Sequence, residues 1–217
     1  MFTGIIKEVG KILSLTTNKE GMLIEIEAKQ LLSEISIDDS VSINGVCQTA
    51  ISKSKNSFRV QAVKTTLEKT TFNQLSIGKR VNLELALRPL DRLGGHFLSG
   101  HVNGVACVDK LSKTGNASDI WLAIAPDFFK YFIREGSIAL DGISLTIADI
   151  DAEQHLLMVS IIPHTVANTI ILDWQKGTKV NFEVDILAKY IENLLFYRSE
   201  RNNGREMTTE WIKSKGF

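Results

Sequence analysis

Excess charge of either sign is missing from this 217-residue chain, in which 25 lysines and arginines stand against 25 aspartates and glutamates. A protein that grips nucleic acid by phosphate neutralisation needs a basic surface, and one that rests on an anionic bilayer needs a polybasic patch. Neither is present, which argues against nucleic-acid and membrane partners. Aromatic residues make up only 7%, few for stacking bases along a single-stranded groove. No run of about 18–20 apolar residues could cross a membrane as a helix. Thr3, Gly4, Lys7 and Glu8 interrupt the apolar core that an export signal would need. The two cysteines, Cys47 and Cys107, cannot make a disulfide framework, and free thiols without an export signal point to a cytoplasmic location. His96 and His101 are five residues apart, a spacing that suits a metal pair neither on a helix nor on a strand. A phosphate loop and a dinucleotide fingerprint are also missing.

What is present is repetition. Thr3-Gly4 returns 96 residues later as Ser99-Gly100. The run Ser40-Val41-Ser42-Ile43-Asn44-Gly45-Val46-Cys47-Gln48-Thr49 returns 97 residues later as Ser137-Ile138-Ala139-Leu140-Asp141-Gly142-Ile143-Ser144-Leu145-Thr146. Val81-Asn82-Leu83-Glu84 returns 99 residues later as Val180-Asn181-Phe182-Glu183. Blocks in the same order at slowly drifting offsets mark a tandem duplication. Residues 22–27, 41–45 and 58–63 alternate apolar and polar positions, and 120–125, 138–142 and 156–162 answer them. Short strands with Asn-Gly and Asp-Gly turns predict an all-β chain of two homologous small closed barrels. Pro126 and Asp127 open a short helix with an apolar face of Phe128, Phe129 and Phe132. Pro89 and Gly94-Gly95 break the linker 86–95. The expected domains are 1–90, 91–184 and a tail, 185–217. In that tail Ile186, Leu187, Tyr190, Ile191, Leu194 and Leu195 recur at helical spacing. The helix is read as an assembly element, and residues 201–217 as a loosely ordered end.

The duplication also points to chemistry through its mismatches. His101 stands where the first copy has Ile5, so a titratable group replaces an apolar one. Histidine suits proton transfer near neutral pH. Gly94, Gly95 and Gly100 beside the histidines let a ligand or backbone approach closely. Cys47 aligns with Ser144, Thr49 with Thr146, and Thr66 with Thr165. Matching hydroxyls in both halves suggest that each barrel binds the same kind of polar small molecule. The plain alternatives stay open: a glycine-flanked structural histidine, a buried Cys47 acting as a small apolar residue, and Ser40 as a turn hydroxyl.

With these residues in view, the chain resembles the riboflavin synthases. The resemblance rests on Met1-Phe2-Thr3-Gly4-Ile5-Ile6, Asn44-Gly45-Val46-Cys47, Gly94-Gly95-His96-Phe97-Leu98-Ser99-Gly100-His101, Asp141-Gly142-Ile143-Ser144-Leu145-Thr146 and Ile162-Pro163-His164-Thr165. It spans essentially the whole length. It implies a transferase of riboflavin biosynthesis that dismutates two molecules of 6,7-dimethyl-8-ribityllumazine. The products are riboflavin and 5-amino-6-ribitylaminouracil, with no cofactor and no metal. It implies a homotrimer whose active sites lie between the first barrel of one subunit and the second barrel of the next, and it leaves open an association with lumazine synthase. Carried over residue by residue, the first pocket would comprise Gly4, Ile5, Ile6, Cys47, Gln48, Thr49, Gln61, Ala62, Val63, Lys64, Thr65 and Thr66. The second would comprise His101, Val102, Asn103, Ser144, Leu145, Thr146, Ser160, Ile161, Ile162, Pro163, His164 and Thr165, with Glu135 near a subunit boundary. His101, Ser40 and Cys47 match positions tied to catalysis. Gln48 stands where that family usually has Leu, Thr65 where an acid is common, and Glu135 where Lys is frequent. The alternative function is a lumazine- or flavin-binding antenna protein that does not turn its ligand over.

Overall fold

The fold comes from a computed structural model, which describes residues 1–202. Its first compact unit, Met1–Asp185, is a pair of six-stranded antiparallel barrels. The first barrel is built from β1 (Glu8–Thr17), β2 (Gly21–Glu27), β3 (Ser40–Ile43), β4 (Val46–Lys53), β5 (Ser57–Val63) and β6 (Arg80–Leu85). They run in the order β1-β2-β5-β4-β3-β6, and β6 closes on β1. The second uses β7 (Gly104–Thr114), β8 (Ala117–Ala123), β9 (Ser137–Leu140), β10 (Ile143–Asp151), β11 (Leu156–Ile161) and β12 (Lys179–Val184). Closure leaves neither sheet with an open edge.

The strands form where side chains alternate. In β2, Met22, Ile24 and Ile26 are buried while Leu23, Glu25 and Glu27 are half-buried on the other face, the period of two that a strand requires. Ile12, Ile43, Phe58, Val60 and Leu83 fill the first barrel, and Val108, Ile120, Leu122, Val159 and Phe182 the second, with virtually no exposure. Each buried side chain of this size stabilises the fold by roughly 1.5–3 kcal/mol. Register shifts after Ile12 and Ala50 recur after Val108 and Ile147. These bulges bend strands at corresponding places of both barrels.

The hairpins β3–β4 and β9–β10 turn on Asn44-Gly45 and Asp141-Gly142, all four at positive φ, the two-residue turn that matches the twist of paired strands. The two turns meet. A Cβ on Gly45 would lie 2.8 Å from the Gly142 nitrogen, and one on Gly142 would lie 2.7 Å from the Gly45 nitrogen. Around them four polar side chains clasp the barrels together. Asn82 Nδ2 donates to the Asp141 carbonyl at 2.9 Å and Asn181 Nδ2 to the Asn44 carbonyl at 2.9 Å. Asn44 accepts from the Asn82 amide and Asp141 from the Asn181 amide. The remaining side-chain oxygens of Asn82 and Asn181 take the amides of Ile170 and Thr71. The reciprocity is that of a twofold relation between the copies.

Short helices end each barrel: α1 (Lys64–Lys69) with the 3₁₀ turn Thr71–Gln74, and α2 (Pro163–Ala167) with Ile170–Asp173. The helix expected at Pro126 is the 3₁₀ turn Pro126–Tyr131, whose aromatic face packs Phe128 edge-on against Phe182. The second unit, from Ile186 onward, contains α3 (Ile186–Asn202), in which Tyr190, Ile191, Leu194 and Leu195 stay more than half exposed. The expectation for residues 201–217 falls mostly outside the described residues. No helix among the described residues is long and apolar enough to cross a membrane.

Candidate active site

The segments that lead into β1 and β7 cross between the barrels. Glu84, at the end of β6, accepts the Thr3 amide and hydroxyl at 2.6 Å each and the Gly4 amide at 3.0 Å. Burial raises its pKa, and these three bonds oppose the rise. Beyond this anchor the Gly4 carbonyl accepts the amide of Ser144 in the second barrel at 2.8 Å, and Ile6 packs into that barrel's core beside Leu145 and Val166. The mirror arrangement holds for the other copy. Glu183 accepts the Ser99 amide at 2.8 Å, the Ser99 hydroxyl at 2.5 Å and the Gly100 amide at 3.1 Å. The Gly100 carbonyl then accepts the Cys47 amide at 2.9 Å, and Val102 joins the core of the first barrel with Leu67.

The links observed run across the division of pockets drawn from the sequence: Gly4 is bonded to Ser144 and Ile6 packs against the second core, whereas Gly100, next to His101, is bonded to Cys47 and Val102 packs against the first. A repeat alignment assigns each segment to its own copy, whereas the crossing is fixed by backbone bonds between the copies.

On the first barrel two of the three catalytic candidates, Ser40 and Cys47, lie on the β3–β4 hairpin. Ser40 faces Thr49 in the β3–β4 register, and Cys47 faces Ser42. His101 follows the residue bonded to Cys47; it is exposed, and its amide donates to Ser99 Oγ at 3.2 Å. Gly100 sits at φ +78°, and a Cβ there would lie 2.6 Å from that of Cys47, so only glycine lets this segment reach the hairpin. Gln48 is buried and folds back on the Cys47 carbonyl at 2.6 Å, with its Oε1 unpaired. Ala62 is buried, while Val63, Lys64 and Thr65 are exposed at the start of α1. Gln61 donates to Glu20 at 3.2 Å, and the Thr66 carbonyl accepts the Thr70 hydroxyl.

On the second barrel the Ser144 hydroxyl lies 2.7 Å from His96 Nδ1. Burial lowers the His96 pKa against the pull of Asp185 and Glu183, which favours the neutral imidazole, and its Nε2 has no hydrogen-bond partner. The sequence drew attention to His96 but did not join it to Ser144. Gly95 makes the contact feasible, because a Cβ there would meet the Thr3 carbonyl at 2.2 Å. Thr146 is exposed opposite Ser137, and Ser160 hydrogen-bonds Asp119, whose pKa falls through Thr114 first and Ser160 second. Ile161 is buried, whereas Ile162, Pro163 and His164 are exposed at the head of α2. The Thr165 carbonyl accepts the Thr169 hydroxyl, the counterpart of the Thr66 bond. Asn103 is committed to the fold, accepting the Val184 amide at 2.8 Å. Glu135 is exposed at φ +64° and donates its amide to Ile147.

Two cavities reach the margins of these groups, and neither is lined by Cys47, His96, His101 or Ser144. One of about 800 Å³ includes Ile5, Ser40, Glu84, Arg88 and Arg92 in its lining. The other, about 440 Å³, includes Ile6, Lys7, Lys29, His164 and Asn168.

Comparison with known proteins places these features in a group. The family described as the lumazine binding domain matches twice, over residues 3–86 and 99–185. The chain is 38% identical over 218 residues to the riboflavin synthase of Photobacterium phosphoreum, covering 100% of this chain and 99% of that one. It is 36% identical over 217 residues to that of Bacillus subtilis (strain 168), covering all of both. Among solved structures it resembles LumP complexed with riboflavin, with a TM-score of 0.78 at 25% identity over 85% of this chain and 99% of that one. LumP complexed with 6,7-dimethyl-8-(1'-D-ribityl) lumazine gives a TM-score of 0.76 at 24% identity over the same shares, a likeness of fold.

Proposed function

The chain belongs to the lumazine-binding domain family together with the riboflavin synthases, and from that premise we propose that it catalyses the dismutation of two 6,7-dimethyl-8-ribityllumazine molecules. A four-carbon unit leaves one molecule and joins the other, giving riboflavin and 5-amino-6-ribitylaminouracil. Oxidation of one ring system is matched within the pair, so the reaction balances without an outside oxidant.

The observation that carries this reading is the pair of like sites with unlike chemistry. Each barrel presents a β-hairpin completed by a segment crossing from the other copy. One site carries Cys47, Ser40 and His101; the other carries Ser144 held by His96. Two similarly built hairpin sites suit two identical substrates, and holding reactants in register can lower a barrier by about 7–11 kcal/mol. In this reading His101 takes a proton from the acidic 7-methyl group of one lumazine. The Ser144 hydroxyl, or a water it orders, adds to the ring of the other. Backbone amides at the strand ends read the pyrimidinedione edge, and threonine hydroxyls hold the ribityl chain. The two sites that react belong to neighbouring subunits of a homotrimer, with the exposed apolar residues of α3 available for its assembly.

The enzyme is expected to generate riboflavin absorbance when mixed with the lumazine. His101→Gln should lower turnover by about 100-fold while lumazine affinity, read by fluorescence, stays within about twofold of the parent. Unchanged turnover in that variant would remove His101 from the mechanism. A second reading is a lumazine- or flavin-binding antenna without turnover, and the likeness to LumP, solved with the lumazine and with riboflavin, is consistent with binding; stable lumazine fluorescence without conversion would select it.

A further inference from the structure

We propose that Glu183 is a positioning residue for His101, acting through Ser99, and that its counterpart Glu84 serves the other site through Thr3. This inference rests on the catalytic reading of His101 given above.

The chain of contacts is continuous. Glu183 is 4% exposed and receives three hydrogen bonds, two from Ser99 and one from the Gly100 amide. The Ser99 hydroxyl, fixed by donating to Glu183, accepts the His101 amide at 3.2 Å. On its other side the same segment is tied to the first barrel by the Gly100 carbonyl and the Cys47 amide. Residues 99–101 are therefore held from both barrels, Glu183 being the anchor from the second. A carboxylate only accepts, and bonds to it are stronger than neutral ones. A glutamine would turn an N–H toward donors and lose at least one of the three bonds.

The duplication supplies an internal control. Glu84 makes the same three bonds to Thr3 and Gly4, and Thr3 Oγ1 accepts the Ile5 amide at 3.2 Å. The two anchors share a geometry and differ in what they position, an imidazole in one copy and an isoleucine in the other. A role confined to folding would make the two glutamates equivalent; a role in placing the imidazole would not.

The experiment compares Glu183→Gln, Glu84→Gln, His101→Gln and the double variant Glu183→Gln/His101→Gln in steady-state conversion of the lumazine, with thermal unfolding alongside. Both single glutamate variants should lose similar thermal stability. Glu183→Gln should lower kcat by about tenfold with KM little changed, whereas Glu84→Gln should act mainly on KM. The double variant should be no slower than His101→Gln alone, because the two changes remove one shared effect. Equal loss of kcat in both glutamate variants, or multiplied losses in the double variant, would overturn the proposal. If Glu183→Gln does not fold, Ser99→Ala takes its place, expected to lose kcat in the same way. Ser99→Thr should retain turnover, since Thr3 does this work in the first copy; a Ser99→Ala variant with parental kcat would overturn the proposal. A fully active His101→Gln would instead reject the catalytic reading beneath it.

Discussion

A single difference between the two copies makes one residue of the inter-barrel clasp titratable. Asn44 in the first copy is Asp141 in the second, and both accept a backbone amide. Asp141 is only 3% exposed, and burial raises its pKa from 3.8 to about 7. The Asn181 amide and Lys79 pull the other way, as does the nearby Trp174 indole. Because the folded-state pKa is the higher one, the protonated acid stabilises the fold below about pH 4. That contribution is lost as pH rises to about 7. Asp141→Asn, which copies Asn44, should therefore flatten the pH dependence between pH 4 and 8 and raise stability at pH 8 by a few kcal/mol. Urea unfolding at pH 5 and pH 8 measures it; an unchanged slope in the variant would show that Asp141 does not carry the dependence. The paired contact of His96 with Ser144 belongs to the same scale. It spans 48 residues, so no local pattern announces it, although Gly94-Gly95 before it marked a place of close approach.

Among the elements, the hairpins were the most legible, because Asn-Gly and Asp-Gly turns demand positive φ and the flanking alternation sets the strands. What alternation could not reveal is that the two turn tips touch. Gly45→Ala and Gly142→Ala each place a methyl within 2.8 Å of the opposite turn's backbone and force alanine to positive φ. Each should cost about 2–4 kcal/mol, and the double variant should lose less than the sum, since one separation of the tips relieves both clashes. Denaturant unfolding of the three variants gives the comparison; full additivity would mean that the tips do not meet. The crossing segments were hidden for a related reason. Thr3-Gly4 and Glu84 recur together as Ser99-Gly100 and Glu183, so the anchors are legible as a repeated pair, but the backbone bonds from Gly4 to Ser144 and from Gly100 to Cys47 exist only in the folded pair of barrels. An apolar Ile6 or Val102 carries no sign of which core it will enter.

For the whole molecule, duplication is what relates fold to chemistry. The segment leading into each barrel is bonded to the hairpin of the other, so the two copies fold as a pair rather than as single barrels. The clasp of Asn44, Asn82, Asp141 and Asn181 satisfies its buried polar groups across the seam, and leaving such groups unpaired would cost about 1–3 kcal/mol each. Divergence then operates on a fixed frame, with Ile5 against His101 and Ser144 against Cys47 at matching places of the two copies. The most direct test is a product balance with purified protein and the lumazine as sole organic reactant. The account predicts one riboflavin and one 5-amino-6-ribitylaminouracil for every two lumazines consumed, at all stages of the reaction. Bound lumazine that is never consumed, or riboflavin formed without the matching pyrimidine, would contradict it.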